Sequence, residues 1–171
     1  MGALTMYKEY SVLMSVYQKE YPEYLRAAIT SIVNQTLKAK EFVLVCDGPL
    51  TNALEQVLDE FSNILILVRL EKNVGLGMAL AEGMRYCNCE WIVRMDTDDI
   101  AFPDRCKKQI IYDQQHPEID VLSGTVAEFE GSALTAEEAK QQVVSLKFVP
   151  ETDREIAEYI KFRNPINHPC V

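Results

Sequence analysis

The feature that most constrains the fold is the alternation of short apolar runs with segments of helical periodicity. Apolar runs of strand length occupy residues 10–16, 42–45, 64–68 and 91–95. Between and after them, apolar residues recur at the i, i+3, i+4 and i+7 positions of amphipathic helices. These helices are predicted over residues 22–33, 52–61, 76–86 and 103–115. Four successive strand–helix units predict an α/β fold with a mostly parallel central sheet and helices on both faces.

The rest of the chain is predicted from weaker patterns. Residues 120–126 and 143–149 are predicted as further strands, and residues 151–162 as an amphipathic helix. Residues 134–142 are acidic and rich in alanine, which is compatible with a short helix or a loop. The length of 171 residues suits one domain. No stretch approaches the ~20 apolar residues of a membrane-spanning helix.

Charge and cysteine content limit the classes of ligand and compartment. The formal net charge of −9 argues against a large nucleic-acid interface, which requires clustered lysine and arginine. An anionic ligand would therefore need backbone N–H groups or a bound cation to offset its charge. The chain has five cysteines without framework spacing, a pattern typical of free thiols in a reducing cytoplasm.

An acidic cluster directly follows the fourth predicted strand. It comprises Asp96, Thr97, Asp98 and Asp99, while Asp47 follows the second strand. Ligands of parallel sheets bind beyond the carboxyl ends of the strands, so these positions are candidate site residues. Three carboxylates within four residues repel one another unless water, hydrogen bonds or a cation offsets the repulsion. Their oxygens suit Mg²⁺ or Mn²⁺, although a solvated turn is the alternative interpretation.

Six segments in this order are similar to those of a known family. They are YSVLMSVYQ (10–18), SIVNQT (31–36), VLVCDGP (43–49), RLEKNVGLGMALAEG (69–83), WIVRMDTDDIAFPDR (91–105) and RNPINHPCV (163–171). The chain resembles the family 2 glycosyltransferases, especially bacterial enzymes of exopolysaccharide and O-antigen synthesis. The resemblance implies the GT-A fold, a Rossmann-like sandwich, and a nucleotide-sugar donor carrying UDP, GDP or dTDP. It also implies a saccharide or lipid-linked acceptor.

The resemblance also assigns roles to the nucleotide-binding candidates. Ser15 and Tyr17 match the end of the first strand, which borders the nucleobase in the family. Asp47 matches the aspartate that hydrogen-bonds the base ring, and Asn73 and Gly75 match the loop lining the nucleotide. Each position also has an ordinary structural interpretation, because aromatic residues pack at sheet edges and Asp, Asn and Gly form turns.

The acidic cluster matches the DXD motif of the family. In the family this motif contacts the ribose and coordinates the cation that bridges the two phosphates. By this resemblance Asp98 is the nearest metal ligand, and Asp99 is the alternative ligand. Asp96 and Thr97 lie on the nucleotide side of the motif. The cofactor is then Mn²⁺ or Mg²⁺.

The resemblance also leaves one catalytic part unmatched. The family's general base is a carboxylate in a later acidic segment, and residues 150–171 contain no match to it. An inverting transfer needs a base to accept the proton of the acceptor hydroxyl. We therefore expect residues 1–171 to form one nucleotide-sugar-binding domain, truncated at its carboxyl end, that binds nucleotide but transfers sugar poorly. The expected location is the cytoplasm, or the periphery of the inner membrane for a full-length protein.

Three alternatives remain at this point. A dinucleotide-binding oxidoreductase is weakly indicated by Gly75 and Gly77, but Leu80 occupies the third glycine position and the glycines follow the third strand. A nucleotidyltransferase would also use carboxylates and a cation, yet residues 15–20 lack a glycine-rich basic loop. A nucleotide-sugar-binding domain without catalysis would retain the same donor site.

Overall fold

The central sheet is parallel and has four strands. The computed structural model describes residues 7–171. Its strands are β1 (Tyr10–Val16), β2 (Glu41–Cys46), β3 (Leu65–Arg69) and β4 (Trp91–Arg94), in the spatial order β3-β2-β1-β4. Every pairing in this sheet is parallel, which confirms the predicted central sheet. The strand order reverses at β1, because β2 and β3 lie on one side of it and β4 on the other.

In the described residues, six helices connect and follow the strands. They are α1 (Pro22–Val33), α2 (Asn52–Glu60), α3 (Leu76–Met84), α4 (Arg105–Gln115), α5 (Ala136–Gln141) and α6 (Asp153–Tyr159). A 3₁₀ turn spans His168–Cys170. The proline at the start of α1 is preorganised for the first helical turn. Thr51 caps α2 by accepting a hydrogen bond from the Leu54 N–H. None of the helices within residues 7–171 is long and apolar enough to cross a membrane.

Both faces of the sheet are buried, which explains the continuous apolar strands. Alternate side chains of β1 point to opposite faces, with Val12 and Met14 in one core cluster and Leu13 in the other. Helices α1, α2 and α4 cover the first face, and α3 covers the second. On the second face, a Cβ added to Gly83 would lie 2.5 Å from Val45 Cγ2. The backbone of α3 therefore approaches the sheet closely.

The predicted strands after α4 are partly wrong. Residues 120–125 form no strand, and β5 (Val126–Phe129) pairs antiparallel with β6 (Val143–Lys147) in a separate two-stranded sheet. Asn167 holds this segment at two points: its N–H donates to Ser123 Oγ at 3.1 Å, and its Nδ2 donates to Gly124 O at 2.8 Å. A side-chain donor thus takes Gly124 O, a backbone acceptor that a strand partner would otherwise use.

Two short helices occupy the segments predicted over residues 134–142 and 151–162. The segment 134–142 contains the short helix α5, whose cap is the Thr135 hydroxyl accepting from the Glu138 N–H at 3.2 Å. The predicted helix over 151–162 is shorter, because α6 begins after its capping residue Thr152 and ends at Tyr159. No residue of α6 is buried, so its apolar positions are not part of the core.

Candidate functional site

The acidic residues lie at the carboxyl edge of the sheet, on either side of β1. The Asp47 N–H donates to Val16 O at 2.8 Å, and the Met95 N–H donates to Leu13 O at 3.2 Å. Asp47 thus follows β2 on one side, and the acidic loop Asp96–Asp99 follows β4 on the other. A reversal of strand order creates a crevice at this edge, where ligands of open α/β sheets bind.

The three carboxylates of the acidic loop are close enough to share one cation. One oxygen each from Asp96, Asp98 and Asp99 lies within 4.8 Å of the others. Asp98 is exposed, whereas Asp96 and Asp99 are half-buried. An all-oxygen donor set of this kind fits Mg²⁺ or Mn²⁺, which keep water or substrate oxygens in their other coordination positions.

Internal contacts divide the acidic loop into a fixed part and a free part. Asp96 forms an ion pair with Arg94, a buried residue at the end of β4. The buried Thr97 hydroxyl donates to Glu20 Oε2 at 2.5 Å. The carboxylates of Asp98 and Asp99, in contrast, have no hydrogen bond or ion pair within the part of the chain that the structure describes. The two unengaged carboxylates are therefore those assigned to the metal by the sequence resemblance.

The environment of Asp99 opposes its ionisation in the absence of a cation. Burial, followed by the charges of Asp98 and Asp96, raises the pKa of the Asp99 carboxyl from 3.8 to about 6. Arg94 and Arg105 act in the opposite direction, with smaller effects. A divalent cation would remove this cost, because its charge offsets the repulsion among the carboxylates.

The structure brings together Asp47, Asn73 and Gly75, three of the residues predicted to contact the nucleotide. The buried Asp47 carboxylate accepts hydrogen bonds from Asn73 Nδ2 at 3.0 Å, Val74 N at 2.7 Å and Gly75 N at 3.0 Å. Gly48 permits the close approach of this loop: its φ is +87°, and an added Cβ would lie 2.6 Å from Asn73 N. Asp47 thereby closes the loop that begins α3.

A cavity of about 560 Å³ opens beside the acidic loop. Asp98 and Asp99 form one wall, and Tyr24 of α1 forms another. The hairpin β5–β6 and the segment 164–169 complete the lining. The lining includes none of the other predicted site residues, namely Ser15, Tyr17, Asp47, Asn73, Gly75, Asp96 and Thr97. Tyr17 is exposed after β1, and Ser15 is half-buried in β1 opposite Val45.

Sequence reasoning missed the residues that face Asp98 and Asp99 across this cavity. His168 is exposed and lines the cavity, and partial burial together with the charge of Arg94 lowers its pKa. Tyr24 and His168 lie far from Asp98 in sequence, so no local motif connects them.

The fold and these clusters define an open α/β protein with a candidate ligand site before any comparison is made. In such sheets ligands bind beyond the carboxyl ends of the strands, where the strand order reverses, and both clusters lie at that edge. The chain belongs to glycosyl transferase family 2, whose family model matches residues 11–168.

Named relatives are similar over nearly the whole chain. The amylovoran biosynthesis glycosyltransferase AmsE of Erwinia amylovora is 42% identical over 95% of this chain and 58% of its own length. The Escherichia coli UDP-Gal:alpha-D-GlcNAc-diphosphoundecaprenol beta-1,3-galactosyltransferase is 33% identical over 95% of this chain and 57% of its own length. The chain therefore spans less than two thirds of the length of these relatives.

A solved structure shows the fold. The mannosyltransferase PcManGT from Pyrobaculum calidifontis, in complex with GDP-Man and Mn²⁺, superimposes with a TM-score of 0.55 at 21% identity. The match covers 72% of this chain and 36% of that enzyme. At this level of identity the likeness concerns the fold, which is GT-A as the resemblance implied.

Proposed function

We propose that this chain forms the donor-binding part of a metal-dependent, inverting glycosyltransferase of surface polysaccharide synthesis. The enzyme would transfer a sugar from a nucleotide-sugar donor to a saccharide or lipid-linked acceptor. The observation that carries the proposal is the acidic loop at the point where the strand order reverses. There, one oxygen from each of three carboxylates lies within 4.8 Å of the other two. Two of those carboxylates have no partner among residues 7–171.

The proposed metal ligands are Asp98 and Asp99. A divalent cation there would act as a Lewis acid and stabilise the nucleoside diphosphate leaving group. Asp96 pairs with Arg94 through one carboxylate oxygen, so its other oxygen can accept a hydrogen bond from a ribose hydroxyl. The contribution of the protein is to hold the carboxylates at the sheet edge before the ligand arrives, which lowers the cost of organising the site.

The proposed nucleoside side of the site is built around Asp47. An ionised carboxylate offers about four acceptor positions, and the loop 73–75 uses three of them. The remaining position can accept an N–H of the base ring. Tyr17, exposed after β1, can stack on the base, while Ser15, Asn73, Gly75 and Thr97 remain predicted nucleotide contacts.

The chemistry named for relatives supports the choice of substrates. The Escherichia coli relative uses a UDP-sugar and a diphosphoundecaprenol-linked acceptor, and the archaeal structure contains GDP-Man and Mn²⁺. We propose a donor of the same kind, with the base, the sugar and the acceptor to be identified by binding. A lipid-linked acceptor would bring a full-length enzyme to the cytoplasmic surface of the inner membrane.

Calorimetric titration tests the proposed donor site. UDP, GDP and dTDP are titrated with and without Mn²⁺ into the wild type, Asp98→Asn and the control Glu137→Gln, which removes an exposed carboxylate outside the site. We expect Mn²⁺-dependent binding of one nucleotide, weakened at least about tenfold in Asp98→Asn, because charge-assisted contacts contribute roughly 1.5–3 kcal/mol. Equal affinities of wild type and Asp98→Asn would refute the metal assignment.

A further inference from the structure

A carboxylate outside the acidic loop connects that loop to the beginning of α1. Glu20 lies between β1 and α1. Its Oε2 accepts a hydrogen bond from the Thr97 hydroxyl, with an oxygen–oxygen distance of 2.5 Å. Its other oxygen, Oε1, accepts from the Tyr21 N–H at 2.8 Å. The Glu20 N–H donates to Tyr17 O at 3.1 Å, which closes a turn directly after β1. One side chain thus joins two loops on neighbouring strands.

The Glu20 carboxylate is tied to the acidic loop through a buried residue. Its partner Thr97 is 5% exposed and directly precedes Asp98. Since a buried hydroxyl needs a partner, Glu20 determines where the backbone before Asp98 lies.

We propose that Glu20 is a positioning residue for the metal-binding carboxylates. Arg94 holds Asp96, Glu20 holds Thr97, and the loop then presents Asp98 and Asp99 to the cavity unengaged. Through Tyr21, the same carboxylate keeps the start of α1, including the cavity-lining Tyr24, beside the acidic loop. This inference rests on the proposed metal-dependent nucleotide site and names a residue that supports it without touching the ligand.

The test separates the hydrogen bond from the charge. Glu20→Ala removes both, whereas in Glu20→Gln the amide oxygen can accept from the Tyr21 N–H and the amide nitrogen can donate to Thr97 Oγ1. Glu23→Ala is the matched control, because it removes an exposed carboxylate three residues further along the chain. Each variant is titrated with Mn²⁺ and with the nucleotide that binds the wild type, chosen from UDP, GDP and dTDP.

We expect Glu20→Ala to lower Mn²⁺-supported nucleotide affinity about tenfold, as loss of a residue supporting metal ligands typically does. Nucleotide affinity without Mn²⁺ is expected to stay the same, and Glu20→Gln and Glu23→Ala are expected to remain near wild type. From the other side of the bond, Thr97→Ser is expected to retain more Mn²⁺-supported affinity than Thr97→Val, while the two have equal nucleotide affinity without Mn²⁺; an equal loss in Thr97→Val with and without Mn²⁺ would make Thr97 a nucleotide contact instead and overturn the inference. This pair keeps the test valid if Glu20→Ala does not fold.

Several outcomes overturn the inference. The first is wild-type nucleotide affinity in Glu20→Ala, and the second is a loss of nucleotide affinity in Glu20→Ala that is equal with and without Mn²⁺. The third is a loss in Glu20→Gln as large as that in Glu20→Ala, which would make the charge responsible. If the wild type itself shows no Mn²⁺-dependent nucleotide binding, the proposed function fails instead. The two failures are therefore distinguishable in one set of titrations.

Discussion

Replacing Asp99 by asparagine is expected to stabilise the metal-free protein while weakening its metal site. The pKa of the Asp99 carboxyl rises from 3.8 to about 6 in the fold, chiefly because of burial and then because of Asp98 and Asp96. At 1.36 kcal/mol per factor of ten, this difference corresponds to about 3 kcal/mol of unfavourable ionisation above pH 6. Solvent screening of the half-buried side chain reduces the expected gain in Asp99→Asn to about 1–3 kcal/mol.

The pH dependence has a definite sign. The folded state holds the Asp99 proton more tightly than the unfolded state, so this group lowers the free energy of unfolding as pH rises from about 4 to about 6. The wild type and Asp99→Asn should therefore be equally stable near pH 4 and should differ fully at pH 7. The difference arises within the window bounded by the ordinary pKa of 3.8 and the raised pKa of about 6.

Urea unfolding with EDTA at pH 4, 5, 6 and 7 measures this difference. Asp98→Asn is the matched control. We expect it to raise the free energy of unfolding less than Asp99→Asn does, because Asp98 is exposed. Addition of Mn²⁺ at pH 7 should make the wild type more stable than Asp99→Asn, since the wild type binds the ion and is stabilised by mass action. A metal-free Asp99→Asn protein no more stable than the wild type at pH 7 would refute the electrostatic reasoning.

Three further predictions follow from the geometry. Mn²⁺ affinity in calorimetry should fall as pH is lowered through about 6, because Asp99 must lose its proton to bind; a flat profile would contradict this. Asp47→Ala should cost about 3 kcal/mol in urea unfolding and weaken nucleotide binding, since three donors of the loop 73–75 lose their acceptor. Gly83→Ala should cost about 1–3 kcal/mol, because its Cβ would overlap Val45 and Leu13; unchanged stability would show that α3 can move.

The central sheet was predictable because its strands are buried on both faces. A strand such as β2 is then apolar from Phe42 to Cys46, and no register or partner needs to be known to find it. The segment 120–126 is less apolar, with Val121, Leu122 and Val126 among polar residues, and the side chain of Asn167 bonds Gly124 O from 43 residues further along. A local pattern cannot show this long-range contact. The strand predicted over 120–126 is therefore misplaced, since β5 begins at Val126, whereas the strand predicted over 143–149 is found as β6.

The placement of the candidate residues was predictable in part. Asp47 and Asp96–Asp99 directly follow parallel strands, so their location at the carboxyl edge of the sheet could be inferred from the order of elements alone. Glu20, Tyr24 and His168 approach the acidic loop only through the packing of α1 and of the segment 164–169. Their involvement depends on tertiary geometry, which the spacing of residues along the chain does not encode.

The separation of the Asp47 loop from the cavity has a consequence for how this chain can diversify. The hydrogen-bond donors to the Asp47 carboxylate all come from residues 73–75, whereas the cavity beside Asp98 is lined mostly from residues 98–169. Substitutions in the hairpin β5–β6 leave every contact of the Asp47 loop intact. Exchanging residues 120–171 between relatives would therefore change most of the lining of this cavity while leaving Asp47 and its three donors unchanged.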